Sequence, residues 1–211
     1  MKKYILLLVS QVICASLIAQ VFSVSANKNH VLYIGVDNPL TIRIEKYLPG
    51  EIEVTADKGT IFGNNGTIYI YRPIEPGKNS IIVSEKATRK EIGRVFFTVK
   101  YVPDPVAKID TSGGGNISKS ILMNQHLLKT EIQNFDFDLV CQPESFTVLI
   151  MNMDACTHEE IKNTGNNFND KTIQAFKNIR ENETIIFKDI FVKFPDGRSH
   201  FIVPIVFTVA D

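Results

Sequence analysis

The chain has 211 residues, enough to bury a core without disulfides or metals, and of a length that fits one large domain or two small ones. Lys+Arg and Asp+Glu stand at 23 each, so no net field points to nucleic acid or anionic lipid, and 44% hydrophobic with 22% charged residues excludes a disordered chain. Isoleucine (27) outnumbers leucine (12), valine adds 18 and alanine only 9; this excess of β-branched side chains fits pleated surfaces and argues against a helical bundle or coiled coil.

Met1-Lys2-Lys3 followed by the apolar run Tyr4 to Ala19 reads as an export signal, since a comfortable membrane span takes ~20 apolar residues. Val24-Ser25-Ala26 predicts cleavage after Ala26, and Leu17-Ile18-Ala19 offers the alternative, after Ala19. Ile13 stands where a lipobox needs a small residue, which argues against lipidation at Cys14. Export makes the mature chain periplasmic or secreted, with 21 basic residues against 23 acidic ones and two cysteines, Cys141 and Cys156. In an oxidising compartment this pair is a disulfide candidate; two separately buried thiols are the other reading.

Short strands and turns follow. Val31 to Ile34 reads as a strand ended by Gly35, and Asp37-Asn38-Pro39 as a turn. Leu40, Ile42 and Ile44 alternate with polar residues, then Ile52 and Val54, then Thr67 to Tyr71, with Ile68 and Ile70 on one face and the tyrosines on the other. The isoleucines are expected to fill the inward faces. Ser80 to Ser84 and Ile92 to Tyr101 complete about seven strands with turns every 8–12 residues, the cadence of an immunoglobulin-like sandwich, here without tryptophan. Pro103 and Pro105 interrupt that pattern and set the domain boundary, giving a signal at 1–26, a sandwich at 27–102 and a second domain at 103–211.

In the second domain Gly113-Gly114-Gly115 reads as a loop or a close backbone approach, and Ser118 to Leu128 as a short helix. Phe135 to Cys141 and Ser145 to Met153 read as strands, with a polar loop carrying Asp154 to Glu159 and another at Thr164 to Phe168. Asn169 is an N-cap for a helix over 170–180, whose Ile173, Phe176 and Ile179 share a face. Ile185 to Phe194 and Phe201 to Val209 flank the turn Pro195-Asp196-Gly197-Arg198. The expected fold is therefore mainly β: an N-terminal Ig-like β-sandwich followed by a β-rich domain with one or two short helices.

Candidate chemistry is sparse. The glycine run is followed by no lysine with Ser/Thr at phosphate-loop spacing, and no Gly-x-Ser-x-Gly elbow occurs. Asp136 and Asp138 share a strand face as a carboxylate pair would, but alternation with Phe135, Phe137 and Leu139 accounts for them as the solvated side. Asp154, Cys156, His158 and Glu159 are the densest set of metal-ligand types, yet supply one thiol and one imidazole only. The reading is a non-enzyme with no catalytic, cofactor-binding or metal-binding residues, no small-molecule substrate and no nucleic-acid partner.

Several stretches in chain order carry a family resemblance: Val31 to Pro39, Pro103-Asp104-Pro105-Val106, Gly113 to Lys119, Phe135 to Leu139 with Ser145-Phe146-Thr147-Val148, and Phe187-Lys188-Asp189-Ile190 with Pro195-Asp196-Gly197. Together they resemble the C-terminal periplasmic region of the GldM family of gliding-motility and type IX secretion proteins of Bacteroidetes. The resemblance implies two consecutive domains, a homodimer, and protein partners in the cell envelope, secretion-ring components among them. The family's membrane anchor and helical periplasmic domain are expected to be absent here, with the export signal in their place. The function implied is a protein–protein binding module; the alternative is a secreted or cell-surface adhesin-like sandwich.

Overall fold

The computed structural model describes residues 22–26, 31–63, 66–137 and 139–210. Two compact units divide the chain, one running through Tyr33 and resuming at Asp37–Lys100, the other comprising Ile34–Val36 and Tyr101–Asp211.

The first unit is a sandwich of two four-stranded sheets. One carries β1 (Phe22–Ala26), β3 (Asn38–Ile44), β6 (Ile68–Pro73) and β5 (Gly59–Gly63), in that order. The other carries β2 (Val31–Tyr33), β8 (Glu91–Lys100), β7 (Gly77–Glu85) and β4 (Ile52–Ala56). Leu32, Leu40, Ile42, Ile81, Val83, Phe97 and Val99 are buried between them, as alternation on a half-buried strand requires.

Strand β1 bears on one expectation, and β6 corrects another. Strand β1 lies inside the segment assigned to the signal and pairs antiparallel with β3 from Phe22↔Ile44 to Ala26↔Leu40. Cleavage after Ala26 would strip this strand from the sheet, whereas cleavage after Ala19 keeps it; residues 1–21 lie outside the described ones. On β6 the faces are reversed: Tyr69 and Tyr71 point into the core, and Ile68 is 59% exposed. Tyr71 wins the interior because its buried hydroxyl has partners. Tyr71 donates to Lys58 O at 2.6 Å and accepts from Asn79 Nδ2 at 3.0 Å. Asn38, also buried, ties the β2–β3 corner: its Nδ2 donates to Tyr33 O (2.9 Å) and Tyr71 O (3.1 Å), and its Oδ1 accepts from Tyr33 N (2.9 Å).

The second unit is built on a six-stranded sheet in the order β10 (Gly115–Ser118), β16 (Ile205–Ala210), β14 (Thr184–Lys193), β12 (Gln142–Asn152), β13 (Thr157–Thr164), with β15 (Ser199–Phe201) pairing β14. A separate two-stranded ladder joins β9 (Val106–Lys108) and β11 (Lys129–Glu131). Helices α1 (Lys119–Asn124) and α2 (Asp170–Asn178) start at side-chain caps: Ser118 Oγ accepts from Ile121 N, and Asn169 Oδ1 from Thr172 N. The core is aromatic. Phe187 sits with its ring centre 6.1–6.4 Å from those of Phe146, Phe168, Phe176 and Phe207. It is fully buried. Truncating such a side chain to alanine costs roughly 3–5 kcal/mol.

Further differences fall in this unit. Phe135–Phe137 is irregular backbone rather than strand, with the two rings 5.3 Å apart. The residues read as a polar loop, 157–159, open the eight-residue strand β13 instead. β13 escapes the alternation test because Ile161 is its one apolar residue and Asn163 fills the next inward position, where its Oδ1 accepts from Asn169 N (2.9 Å) and Thr172 Oγ1 (3.0 Å).

Candidate interaction surfaces

The residues singled out for chemistry are scattered. Asp136 is exposed on irregular backbone, and Asp138 lies outside the described residues. Asp154 and Cys156 sit in the turn after β12, while His158 and Glu159 are successive on β13 and so project to opposite faces. Among the described residues no three His, Cys, Asp or Glu side chains are grouped to hold a metal ion. Gly114 (φ +148°) makes a close approach, where a Cβ would stand 3.0 Å from Val206 O, whereas Gly115 (φ +93°) has open space at its Cβ position.

The disulfide expectation is corrected too. Both thiols are free, Cys141 buried and Cys156 exposed. They flank the two ends of β12, whose rise of about 3.3 Å per residue sets them on the order of 30 Å apart. A disulfide needs Cα atoms within about 7 Å. Burial pushes the Cys141 thiol up from its usual range, with Asp196 and Asp104 adding to the shift and Arg198 opposing it.

Those three charged residues belong to a cluster that joins motifs far apart in sequence. The Asp196 carboxylate is completely shielded and accepts from Arg198 N (3.0 Å) and Nε (2.7 Å). The Arg198 guanidinium lies 4.1 Å from the Tyr101 ring centre and donates to Val102 O at 3.2 Å. His200 stacks on Phe194 at 4.4 Å, with Nε2 2.9 Å from Asp104 Oδ1. Gly35 (φ +77°) packs against the Pro195–Asp196 backbone, where a Cβ would come within 2.5 Å of Asp196 N. Gly35, Asp104 and Asp196 thus converge from three separated segments, a joint that spacing along the sequence could not reveal.

Two concavities lie elsewhere, at the tip of the β12–β13 hairpin. The ladder runs without interruption from Ser145↔Thr164 to Asn152↔Thr157. One face of it, with Val148, Ile150 and Ile161, is buried. The other forms a cavity of about 450 Å³ lined by Leu149, Met151, Met153, Cys156, His158 and Glu160. Met153 is 67% exposed. Apolar character continues across this open face, because Leu149 pairs with Ile186 and Ile186 with Val206. On the helix side of the same tip lies a polar cavity of about 320 Å³ that includes Glu159, Arg180 and Glu183. Its wall is pinned by Asn152 Nδ2 donating to Glu183 Oε1 (2.8 Å) and Arg180 N to Glu183 Oε2 (3.0 Å). One tip therefore offers an apolar seat on one face and a charged one on the other.

Comparison with known proteins gives two family matches in tandem. Residues 21–100 match the GldM third domain and residues 103–210 the GldM C-terminal domain. No curated protein matches the chain. Among solved structures, similarity extends to the adhesin InvE of Yersinia pseudotuberculosis, 13% identical over 88% of this chain, with a TM-score of 0.28; the chain spans 58% of that structure. Domains 6–7 of surface layer protein SbsC are 10% identical over 90% of this chain and 98% of theirs, with a TM-score of 0.30. The N-terminal Ig1-2 module of the Drosophila receptor protein tyrosine phosphatase DLAR is 10% identical over 90% of this chain and 99% of its own, with a TM-score of 0.27.

Proposed function

We infer the function from one premise: the chain belongs to the GldM family, through its third and C-terminal domains. GldM domains indicate a component related to the gliding-motility and type IX secretion machinery. We propose that this chain is a non-catalytic periplasmic binding module of that machinery, acting by protein–protein contact. The observation that carries this reading is the tandem match, which spans both compact units. The apolar and charged cavities flanking the β12–β13 tip support it, since binding surfaces combine an apolar centre with a polar surround.

Affinity capture of the full chain after cross-linking in intact envelopes tests the proposal. Recovery of a secretion or motility component is the expected result; recovery of none refutes the machine-related role. Fractionation tests the location. Export to the medium or the cell surface, with none retained in the periplasm, refutes the periplasmic assignment.

A further inference from the structure

Strand β13 ends its sheet. Edge strands present a row of N–H and C=O groups that can template another strand, and proteins blunt them with proline, bulges, short length or charged side chains. β13 has eight residues, no proline and an uninterrupted register with β12. Its parity is fixed by one contact. Lys162 O accepts from Asn169 Nδ2 at 2.8 Å, so the backbone groups of Lys162 face away from β12. By the two-residue repeat, His158 and Glu160 also turn their N–H and C=O outward. Among the described residues no backbone group bonds to them on that side.

The two faces beside this edge differ in chemistry. His158 and Glu160 project to the face with the apolar cavity of Leu149, Met151 and Met153. Glu159 projects to the helix face, into the polar cavity. Glu160 has a cation at hand, Lys188 Nζ at 3.4 Å, whereas Glu159 has no ion-pair partner among the described residues. A strand added to β13 would place its own side chains alternately on these two faces.

We propose that the outer edge of β13, over residues 157–161, docks an extended segment of a partner protein by strand addition. The segment alternates large apolar side chains, which flank His158 and Glu160 and reach toward Leu149, Met151 and Met153, with basic ones that meet Glu159. Main-chain bonds to His158 and Glu160 supply pairing, and the alternation supplies selectivity. The proposal rests on protein–protein binding as the function of the chain.

The test uses the full chain and a labelled synthetic nonapeptide alternating lysine with valine around a central phenylalanine, beside a counterpart with glutamate for lysine. The lysine peptide is expected to bind about tenfold more tightly than its counterpart by fluorescence anisotropy. Hydrogen exchange at the His158 and Glu160 amides is expected to slow about tenfold in its presence. Glu160→Pro removes an outward N–H at a position where an edge strand tolerates proline, and is expected to abolish that binding, while Glu160→Gln retains it. Glu159→Lys leaves the backbone untouched and is expected to reverse the preference between the peptides. Absence of binding, binding without amide protection, or equal binding by the Glu159→Lys variant overturns the proposal. A concentration-dependent dimer abolished by Glu160→Pro also overturns it, reassigning the edge to a second copy. If envelope cross-linking recovers the same machine components from Glu160→Pro, the edge proposal falls and the binding function stands. If the peptide results hold but no component is recovered, the functional reading falls and the edge stands.

Discussion

Replacing Tyr71 with phenylalanine removes one oxygen atom from the middle of the sandwich and leaves the ring. Two hydrogen bonds go with it, the donation to Lys58 O at 2.6 Å and the acceptance from Asn79 Nδ2 at 3.0 Å. Each such bond contributes about 1 kcal/mol net, so the loss is about 2 kcal/mol. Asn79 softens it by keeping its bond to Glu75 O at 3.2 Å. Hydrogen exchange of the β6 and β7 amides reads the first unit by itself. In the regime where exchange follows the opening equilibrium, about 2 kcal/mol appears as roughly thirtyfold faster exchange. The Tyr71→Phe and Asn79→Ala single effects should sum to more than the double variant, because both delete the same bond. Acceleration below about threefold, or strict additivity, would refute the view that the hydroxyl is why tyrosine, not isoleucine, occupies this interior position.

The mature N-terminus is expected at Gln20, keeping Phe22–Ala26 on the sheet, and the intact mass of the exported protein reads this directly. One thiol per mature chain, Cys156, is expected to react with an aromatic disulfide reagent under native conditions and two after unfolding, with no change of mass on reduction of the untreated chain. Phe187→Ala is expected to destabilise the second unit by about 4 kcal/mol, measured by urea titration, since the hole opens at the centre of four rings. Asp57 governs an acid limb. Burial pushes its carboxyl up, but hydrogen bonds from Ser80 N (2.8 Å) and Oγ (2.9 Å) outweigh that and hold it below its usual 3.8. The folded form binds its proton less readily than the unfolded form. The stability it contributes is therefore present above about pH 4 and lost as pH falls further, and Asp57→Asn should flatten that limb in acid titrations followed by circular dichroism.

Patterning made much of the fold legible where burial is one-sided. Leu40 and Ile42 alternate into the core of the sandwich as read, and Asn169 caps its helix through the very side chain that marks it in the sequence. Legibility failed where local pattern and tertiary environment part company. Ile68 and Tyr71 carry comparable apolar bulk, and only the positions of Lys58 and Asn79 in space decide which faces inward. Strand β1 is continuous in sequence with the apolar run Tyr4 to Ala19, so its modest alternation of serines with Phe22, Val24 and Ala26 is masked. β13 is an edge strand whose inward positions include a hydrogen-bonded asparagine, and no hydrophobic period exists there to detect. Its placement is what turns an apparently polar loop into a surface with two distinct faces.

The position of β16 sets an order of events. It lies between β10 and β14, and its Phe207 ring joins the central aromatic cluster. During synthesis, residues 205–210 arrive after the fifteen other strands of the described residues. Until they do, β10 has no parallel neighbour, β14 has an open flank, and one wall of the ring cluster is missing. The sandwich can close early, since its strands are complete by Lys100. The second unit must wait as an open sheet with its core exposed, the condition in which chains mispair or are held by chaperones.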